Sequence, residues 1–350
     1  MLVLVVPGPL DTPTGGYVYD RRMVDGLRGL GWHVEVCSLD GSFPSPTDGA
    51  RAAAASVLAS IPRGITVLVD GLAGGAMPAV MEREAARLRL VSLVHHPLAD
   101  ETGISSDDVR AFEESERRTV ATSRRVIVTS GTTAARVSTL FGVAPDRIAV
   151  VEPGVDRGRL STGSRSATLE LLCVATISPR KGYGTLVRAL AMIPDRSWHL
   201  TIVGSLERHR PSVDHLREAL HAAGLEQRVT LAGEADAAAI STYYQRSDLF
   251  VLATEYEGYG MVVAEALAHG LPVVSTPVGA IPELVGSEAG VLVPVGDARG
   301  LAKAMASVLD GADFRRRLAD GAVRVRSRLH TWETASKKMA DVLTRVALDE

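Results

Sequence analysis

Short apolar runs alternate with amphipathic stretches along the whole chain, and this alternation limits the possible folds most strongly. The runs are rich in Val, Ile and Leu. They lack the alternation of apolar and polar residues found in a sheet with one solvent-exposed face, and this pattern is typical of parallel strands covered on both faces. Parallel strands need helical crossovers, so the pattern predicts a doubly wound α/β fold. In the first half the predicted strands are Leu2–Val6, His33–Cys37, Ile65–Val69, Leu90–Val94, Val126–Thr129 and Ile148–Val151, and the clearest helices are Val18–Leu30, Asp107–Arg124 and Thr132–Phe141.

A polar, aperiodic run at residues 156–168 interrupts this series and predicts an interdomain linker. We expect an N-terminal domain at 1–155, a C-terminal domain at 169–330, and a final helix at 331–350 that could pack back on the first domain. Two Rossmann-like domains would face each other across a cleft at the carboxyl ends of their strands. The second series of predicted strands is Leu169–Ala175, Leu200–Val203, Val229–Leu231, Leu249–Leu252, Pro272–Ser275 and Val291–Val293.

Composition excludes several classes of function. The net charge of −3 and the aromatic content of 4% argue against a nucleic-acid-binding surface. Cys37 and Cys173 each lie in an apolar run, which indicates two buried, reduced thiols and a cytoplasmic protein. The apolar run Met1–Val6 is too short for a signal sequence or a membrane span, so we expect a first buried strand.

Pairs of arginines leave a peripheral membrane contact open. Arg21-Arg22, Arg117-Arg118 and Arg124-Arg125 could meet anionic lipid at the inner face of the membrane if the acceptor is lipid-linked. Such pairs are more often a solvated helix face, and neighbouring glutamates dilute their charge.

The segment Glu255–Glu283 carries the densest chemical information. The strand ending near Ala253 is followed by Glu257-Gly258-Tyr259-Gly260 and then by a helix to about His269, with Gly270 in the position after its end. Glycines before a helix N-terminus let the backbone approach a ligand, and the exposed N–H groups bind anions. Glu257 and Glu265 flank this site, and carboxylates accept hydrogen bonds from hydroxyl groups. A diphosphate site with two such acids suits a nucleotide sugar.

Residues 257–266 resemble the E-x7-E signature of the retaining family-4 glycosyltransferases, which have the two-domain GT-B architecture. Gly270-Leu271-Pro272-Val273-Val274 and Gly279-Ala280-Ile281-Pro282-Glu283 are similar to the same family's downstream pattern. The resemblance implies that Glu257 contacts the donor sugar and Glu265 the ribose. It also implies that Gly258, Tyr259, Gly260 and Met261 form the donor-binding loop, and that no cofactor is needed.

A second segment, Ser178-Pro179-Arg180-Lys181-Gly182, follows the first strand of the C-terminal domain. Two adjacent cations at a strand's carboxyl end suit a diphosphate leaving group. The family writes this segment as Gly-Arg, four further residues, then Lys-Gly, so Lys181 matches and Thr176 stands where the arginine is expected. Arg180 is close enough in sequence to substitute for that arginine.

The N-terminal domain contributes a glycine loop, Gly15-Gly16, that opens a helix after the first strand. It is not a dinucleotide fingerprint, because no G-x-G-x-x-G follows Val6. The resemblance places this loop over the donor diphosphate and the acceptor.

Histidines stand at the end of the strand Leu90–Val94, where the cleft is expected. His95 takes the place of the family's catalytic-site histidine, and histidine is a common proton-transfer or hydrogen-bonding group at neutral pH. We expect His96, Glu101 and the strand-ending Asp70 as acceptor contacts. No third ligand at metal-binding spacing is evident near the histidines, so we expect no metal.

Together these segments and the family that they resemble imply a retaining, metal-independent glycosyltransferase with His95, Arg180, Lys181 and Glu257 as catalytic residues. Its donor is a nucleotide sugar, and its acceptor is a sugar, glycan, lipid-linked or small molecule. Two alternatives stay open: a sugar-nucleotide epimerase on a similar scaffold, and a sugar-nucleotide-binding subunit without turnover. The sequence does not specify the base, the sugar or the acceptor.

Overall fold

The protein is described by a computed structural model over residues 1–101 and 103–348. The chain divides into two compact units, one formed by Met1–Gly154 with His330–Glu350 and the other by Val155–Leu329. Each unit is built on a six-stranded sheet whose paired strands are all parallel. Helices connect the strands, which confirms the doubly wound α/β class predicted for both halves.

The first unit carries a sheet of strands β1 (Leu2–Pro7), β2 (Val34–Leu39), β3 (Thr66–Asp70), β4 (Arg89–Val94), β5 (Arg125–Val128) and β6 (Ile148–Val150). Their order is β2-β1-β3-β4-β5-β6. Every residue of β1 and β3 is buried, as expected for strands covered on both faces. In the sheet β2 lies on one side of β1 and β3 on the other. The topological switch point therefore lies between β1 and β3.

Seven helices surround this sheet among the described residues: α1 (Gly15–Gly29), α2 (Asp48–Ser60), α3 (Gly71–Gly74), α4 (Pro78–Glu84), α5 (Ser106–Thr122), α6 (Gly131–Phe141) and the final helix, α14 (Trp332–Leu348). The final helix packs against α1. Gly26 of α1 allows the close approach, because a Cβ there would lie 1.9 Å from Oγ of Ser336. The Trp332 ring meets the ring of Tyr19 with centroids 6.2 Å apart. The predicted helix 331–350 extends beyond α14 into residues that lie outside the described part of the chain.

The second unit carries strands β7 (Leu169–Val174), β8 (Trp198–Val203), β9 (Val229–Gly233), β10 (Leu249–Leu252), β11 (Val273–Ser275) and β12 (Gly290–Leu292). Their order is β12-β11-β10-β7-β8-β9, which puts the switch point between β7 and β10. The helices of this unit are α7 (Tyr183–Ala191), α8 (Arg210–Ala222), α9 (Ala237–Arg246), α10 (Met261–Ala268), α11 (Ile281–Val285), α12 (Ala298–Asp310) and α13 (Ala312–Arg328).

The segment predicted as a linker, 156–168, has no helix or strand but is part of the second unit. Its backbone is bound to that unit: the amide of Ser161 donates to the carbonyl of His269 at 2.7 Å, and that of Thr162 to the carbonyl of Gln245 at 2.9 Å. The unit boundary therefore lies at Gly154, earlier than the polar composition indicated.

Both cysteines are free thiols, as expected, but only Cys173 is buried, and Cys37 is half-buried. Burial raises the pKa of the Cys173 thiol to about 12. Among residues 1–101 and 103–348, no helix combines the length and the apolar character that crossing a membrane requires.

Candidate active site

The candidate residues form two clusters, one at the switch point of each sheet. In the second unit the segments after β7 and β10 carry them. Gly182 shows why these segments meet: its φ is +64°, and a Cβ there would lie 2.0 Å from the carbonyl oxygen of Ala253. Only glycine permits this approach, which brings the turn Pro179–Lys181 beside the loop that follows β10.

Lys181 and Glu257 form an ion pair in this place, with side chains 9% and 11% exposed. The hydroxyl of Thr254 lies 3.4 Å from the same carboxylate oxygen of Glu257. Burial alone would raise the pKa of the Glu257 carboxyl, but the Lys181 ammonium and the Arg180 guanidinium hold it below its ordinary value. Glu257 is therefore an ionised hydrogen-bond acceptor at neutral pH.

Arg180 reaches the same loop. Its Nη1 donates to the carbonyl of Tyr256 at 3.3 Å, and its own carbonyl accepts from the amide of Glu255 at 2.7 Å. The side chain is half-buried, and its charge acts on Glu257. Thr176, at the position of the family arginine, is half-buried just after β7. The structure thus places two cations, Arg180 and Lys181, next to one carboxylate.

The loop 257–260 leads directly into α10. Gly260 caps this helix with φ +91°. Gly279, from the downstream part of the motif, packs under the loop, because a Cβ there would lie 1.9 Å from the carbonyl oxygen of Glu257. Tyr259 is buried in the core of the unit, whereas Gly258 and Met261 are half-buried. The glycines therefore shape the loop that carries Glu257 to the helix N-terminus.

Glu265 lies within α10 and is half-buried. The hydroxyl of Tyr244, on α9, donates to its Oε2 at 2.9 Å. Burial raises the pKa of Tyr244 well above its ordinary value, so the hydroxyl keeps its proton and remains a donor. The Tyr244 ring in turn stacks on His269, with centroids 4.9 Å apart. Tyr244 was not predicted from the sequence, because no local motif links it to Glu265.

The cluster of the first unit lies at the switch between β1 and β3. Gly15, exposed, and Gly16, half-buried, begin α1. A Cβ on Gly16 would lie 3.3 Å from Cδ2 of His95, so the glycine loop and the end of β4 are in close contact. His95, which directly follows β4, is the centre of this cluster.

His95 lies between two buried carboxylates. Its Nε2 is 3.1 Å from Oδ1 of Asp20 and 3.4 Å from Oδ2 of Asp70. Burial alone would lower the pKa of His95, but the two carboxylates raise it to about 10. Burial raises the pKa of Asp20 to about 6, although His95 opposes this shift. His95 and Asp70 were predicted from the sequence, whereas Asp20, on the buried face of α1, was not.

His96 and Glu101 form a separate pair, with Nε2 3.3 Å from Oε2, and both are half-buried. The turn that joins them is held by Glu116 of α5, which accepts from the amides of Leu98 at 2.9 Å and Ala99 at 3.3 Å. Burial raises the pKa of Glu116 to about 7, although these two bonds lower it. Glu116 was not identified from the sequence, since its partners are backbone groups.

Asp20, Asp70 and His95 are residue types that bind metals, and one ligand atom from each lies within 4.8 Å of the others. The expectation of no third ligand near His95 thus needs correction, because the fold brings in two acids from elsewhere in the chain. Hydrogen bonds already join these atoms. A metal would have to displace the hydrogen on Nε2.

The arginines considered for membrane contact are partly neutralised. Arg117 pairs with Glu114 at 2.8 Å, and Arg118 with Glu82 at 2.7 Å. Arg22 lies over the ring of Trp332, 5.6 Å from its centroid. These contacts engage three of the six arginines, and membrane contact stays a prediction.

Comparison with known proteins identifies both units. The model of glycosyltransferase family 4 matches residues 14–159, and the model of the glycosyl transferases of group 1 matches residues 168–311. Together the two matches cover most of the chain, with one model in each unit.

The curated relatives to which the chain is similar are also named as glycosyltransferases. The chain is 30% identical over 244 residues to the D-inositol 3-phosphate glycosyltransferase of Xylanimonas cellulosilytica, covering 65% of this chain and 58% of the relative. It is 25% identical over 268 residues to the MMP alpha-(1->4)-mannosyltransferase of Mycolicibacterium hassiacum, covering 72% of this chain and 64% of the relative. The chain thus spans less than two thirds of the length of these relatives.

Solved structures share the fold of the whole chain. Sucrose-phosphate synthase from Thermosynechococcus elongatus matches with a TM-score of 0.85 and 21% identity, covering 100% of this chain and 99% of that one. HepE from Anabaena, in complex with UDP-glucose, matches with a TM-score of 0.77 and 19% identity, covering 98% and 99%. The chain thus has the GT-B fold of these glycosyltransferase structures, and each of its units matches a glycosyltransferase family model.

Proposed function

We propose that the protein is a retaining, metal-independent glycosyltransferase that moves a sugar from a nucleotide-sugar donor to a hydroxyl group of an acceptor. The observation that supports this most directly is the cluster of Arg180, Lys181 and Glu257 at the switch point of the second sheet. Two cations and the N-terminus of α10 suit a diphosphate, and an ionised carboxylate beside them suits the hydroxyl groups of a sugar.

In the proposed reaction the acceptor oxygen bonds to the anomeric carbon as the bond from that carbon to the diphosphate oxygen breaks. The electron pair of the broken bond stays on the diphosphate. Arg180, Lys181 and the α10 N-terminus stabilise the negative charge that develops on the diphosphate. A metal ion would otherwise have to stabilise it. Attack on the face of departure retains the anomeric configuration.

The acceptor hydroxyl must also lose a proton. His95 is unsuited to take it at neutral pH, because the carboxylates of Asp20 and Asp70 keep the imidazole protonated, with a pKa of about 10. The departing diphosphate oxygen is then the acceptor of that proton. His95 instead donates a hydrogen bond to the sugar.

Glu265 is the proposed ribose contact, with Tyr244 fixing its carboxylate. Gly15 and Gly16 would lie along the donor diphosphate. The pair of His96 and Glu101 is the better candidate for contacting the acceptor, since the carboxylate of Asp70 is already engaged with His95.

The test begins with a thermal-shift panel of uridine, guanosine and adenosine diphosphates and their sugar derivatives. A ligand at 100 times its Kd should stabilise the protein by about 2.7 kcal/mol. The stabilising donor is then incubated with acceptors, among them inositol 3-phosphate, the acceptor in the name of one relative. NMR of the product should show the same anomeric configuration as the donor.

The outcomes separate this proposal from its alternatives. A donor converted to another sugar nucleotide in the absence of any acceptor would indicate an epimerase. Binding without transfer or hydrolysis for every acceptor would indicate a binding subunit. An inverted product would overturn the retaining mechanism.

A further inference from the structure

Asp20 has no place in the sequence motifs, yet it is buried in direct contact with His95. Its side chain is 2% exposed, that of Asp70 4% and that of His95 16%. Asp20 lies on α1, little more than one turn after Gly16, so it joins the helix that follows the glycine loop to the end of β4.

Both carboxylates contact the same ring nitrogen. An ionised carboxylate only accepts hydrogen bonds, so Nε2 of His95 must carry the hydrogen that they share. Nδ1 of His95 makes no hydrogen bond to any residue in the described ranges 1–101 and 103–348. One ring nitrogen is thus engaged by the two acids, and the other has no protein partner within those ranges.

The charge of the cluster also favours a protonated ring. Two buried carboxylates without a cation would be costly, and His95 is the cation in contact with both. The remaining titratable group facing His95 among the described residues is Tyr19, whose ring lies edge-on at 5.3 Å. Burial raises the pKa of Tyr19 well above its ordinary value, and its hydroxyl donates to the carbonyl of Val151. Tyr19 therefore stays neutral.

The two acids are fixed in different ways. Asp70 also accepts from the amide of Leu72 at 2.8 Å, so its own backbone turn orients it. The hydrogen bond to His95 is what ties Asp20, on another element, to the cluster.

We propose that Asp20 is a positioning residue: together with Asp70 it holds His95 through Nε2, so that Nδ1 serves as a fixed hydrogen-bond donor to the transferred sugar. The role of the sugar rests on the proposed function, whereas the arrangement of the ring does not. Removing the Asp20 carboxylate should make the His95 ring more mobile and lower its pKa.

The first experiment is NMR of the free protein with ¹⁵N-labelled histidine, the His95 signals being assigned by their loss in His95→Gln. We expect both ring nitrogens of His95 to be protonated at pH 7.5, and no titration of the ring below about pH 9. Removing an anion lowers a histidine pKa, so in Asp20→Asn the ring should titrate at least one pH unit lower. A wild-type ring that titrates near pH 6.5, or a neutral ring with Nε2 unprotonated, would overturn the proposal without any variant.

The second experiment is the pH profile of transfer. Because the wild-type ring keeps its charge, His95 should give no fall in turnover up to about pH 9, whereas Asp20→Asn should lose turnover as pH rises through the lowered pKa. At pH 7.5 we expect turnover of Asp20→Asn to fall by about tenfold to a hundredfold, the range for a hydrogen bond to a charged group, with KM for the donor changed less than threefold.

Asp25→Asn is the matched control, since Asp25 is exposed on the same helix and should leave the profile unchanged. Wild-type turnover and an unaltered profile in a folded Asp20→Asn protein would refute the positioning role. If no sugar nucleotide is a substrate, the proposed function fails, while the NMR experiment still decides how Asp20 holds His95.

Discussion

Lys181 is paired with Glu257 and, in our proposal, also contacts the diphosphate of the donor, which matters for any substitution at the site. Its ammonium is paired with Glu257, so part of its charge is already neutralised before a diphosphate is considered. Glu257 therefore restrains the anion site as well as contacting the sugar in our proposal.

Substitutions of Glu257 and Glu265 should affect nucleotide binding and turnover differently. In Glu257→Gln the Lys181 charge is released, so we expect unchanged or tighter binding of the nucleoside diphosphate but much lower turnover. In Glu265→Gln the ribose contact weakens, and binding should lose roughly 1.5–3 kcal/mol. Calorimetry with the free nucleoside diphosphate measures both. An equal loss of affinity in the two variants would contradict the assignment.

Arg180 should contribute more to turnover than Thr176. The guanidinium of Arg180 lies at the loop beside Glu257, so Arg180→Ala should reduce turnover by about tenfold to a thousandfold, the range for one lost electrostatic contact. Thr176→Ala is the control and should have a mild effect. Near-normal turnover in Arg180→Ala would mean that Lys181 acts without it.

Local sequence could predict only part of this site. The contact of Lys181 with Glu257 follows from parallel strands, whose carboxyl ends meet at one edge of the sheet. Asp20 and Tyr244 could not be predicted in the same way, because each lies on a helix whose buried face is set by tertiary packing. A single polar residue on such a face gives no sign of its partner.

At the scale of elements, the strands follow from their apolar runs to within about two residues. The polar segment 156–168 was predicted as a linker, and in the structure it is part of the second unit. Its composition is that of an exposed linker, but its backbone amides and hydroxyls are hydrogen-bonded to the second unit. Composition reports on side chains and does not reveal such bonds.

The contact of α1 with α14 gives a direct test of helix packing. In Gly26→Ala the new Cβ would lie 1.9 Å from Oγ of Ser336, so α14 must shift. We expect a loss of about 1–3 kcal/mol in the free energy of unfolding, as for an overpacked core, measured by urea denaturation.

Gly29→Ala, on the same helix but with no atom near the new Cβ, is the matched control and should be neutral or slightly stabilising. Ser336→Gly should rescue Gly26→Ala, since it removes the obstructing side chain. Additive effects of the two changes would show that the helices do not meet there.

At the scale of the whole molecule, the proposed mechanism predicts that activity survives chelation. Arg180, Lys181 and the α10 N-terminus take the part of a metal at the leaving group. Transfer should therefore keep its rate in EDTA, measured after extensive dialysis, and added Mg²⁺ or Mn²⁺ should change it little. Activity abolished by EDTA and restored by either ion would refute this account of the leaving group.

The first unit is built from two separate stretches of chain, with the whole second unit between them. During translation the second unit can therefore be completed before the first. At about 5–20 residues per second, the ribosome needs roughly 10–35 s to make Val155–Leu329. During that time α14 has not been synthesised, so α1 cannot pack against it. A nascent chain interrupted just after Leu329 would hold one complete domain and one with Tyr19 and Gly26 uncovered, a substrate for chaperones or proteases.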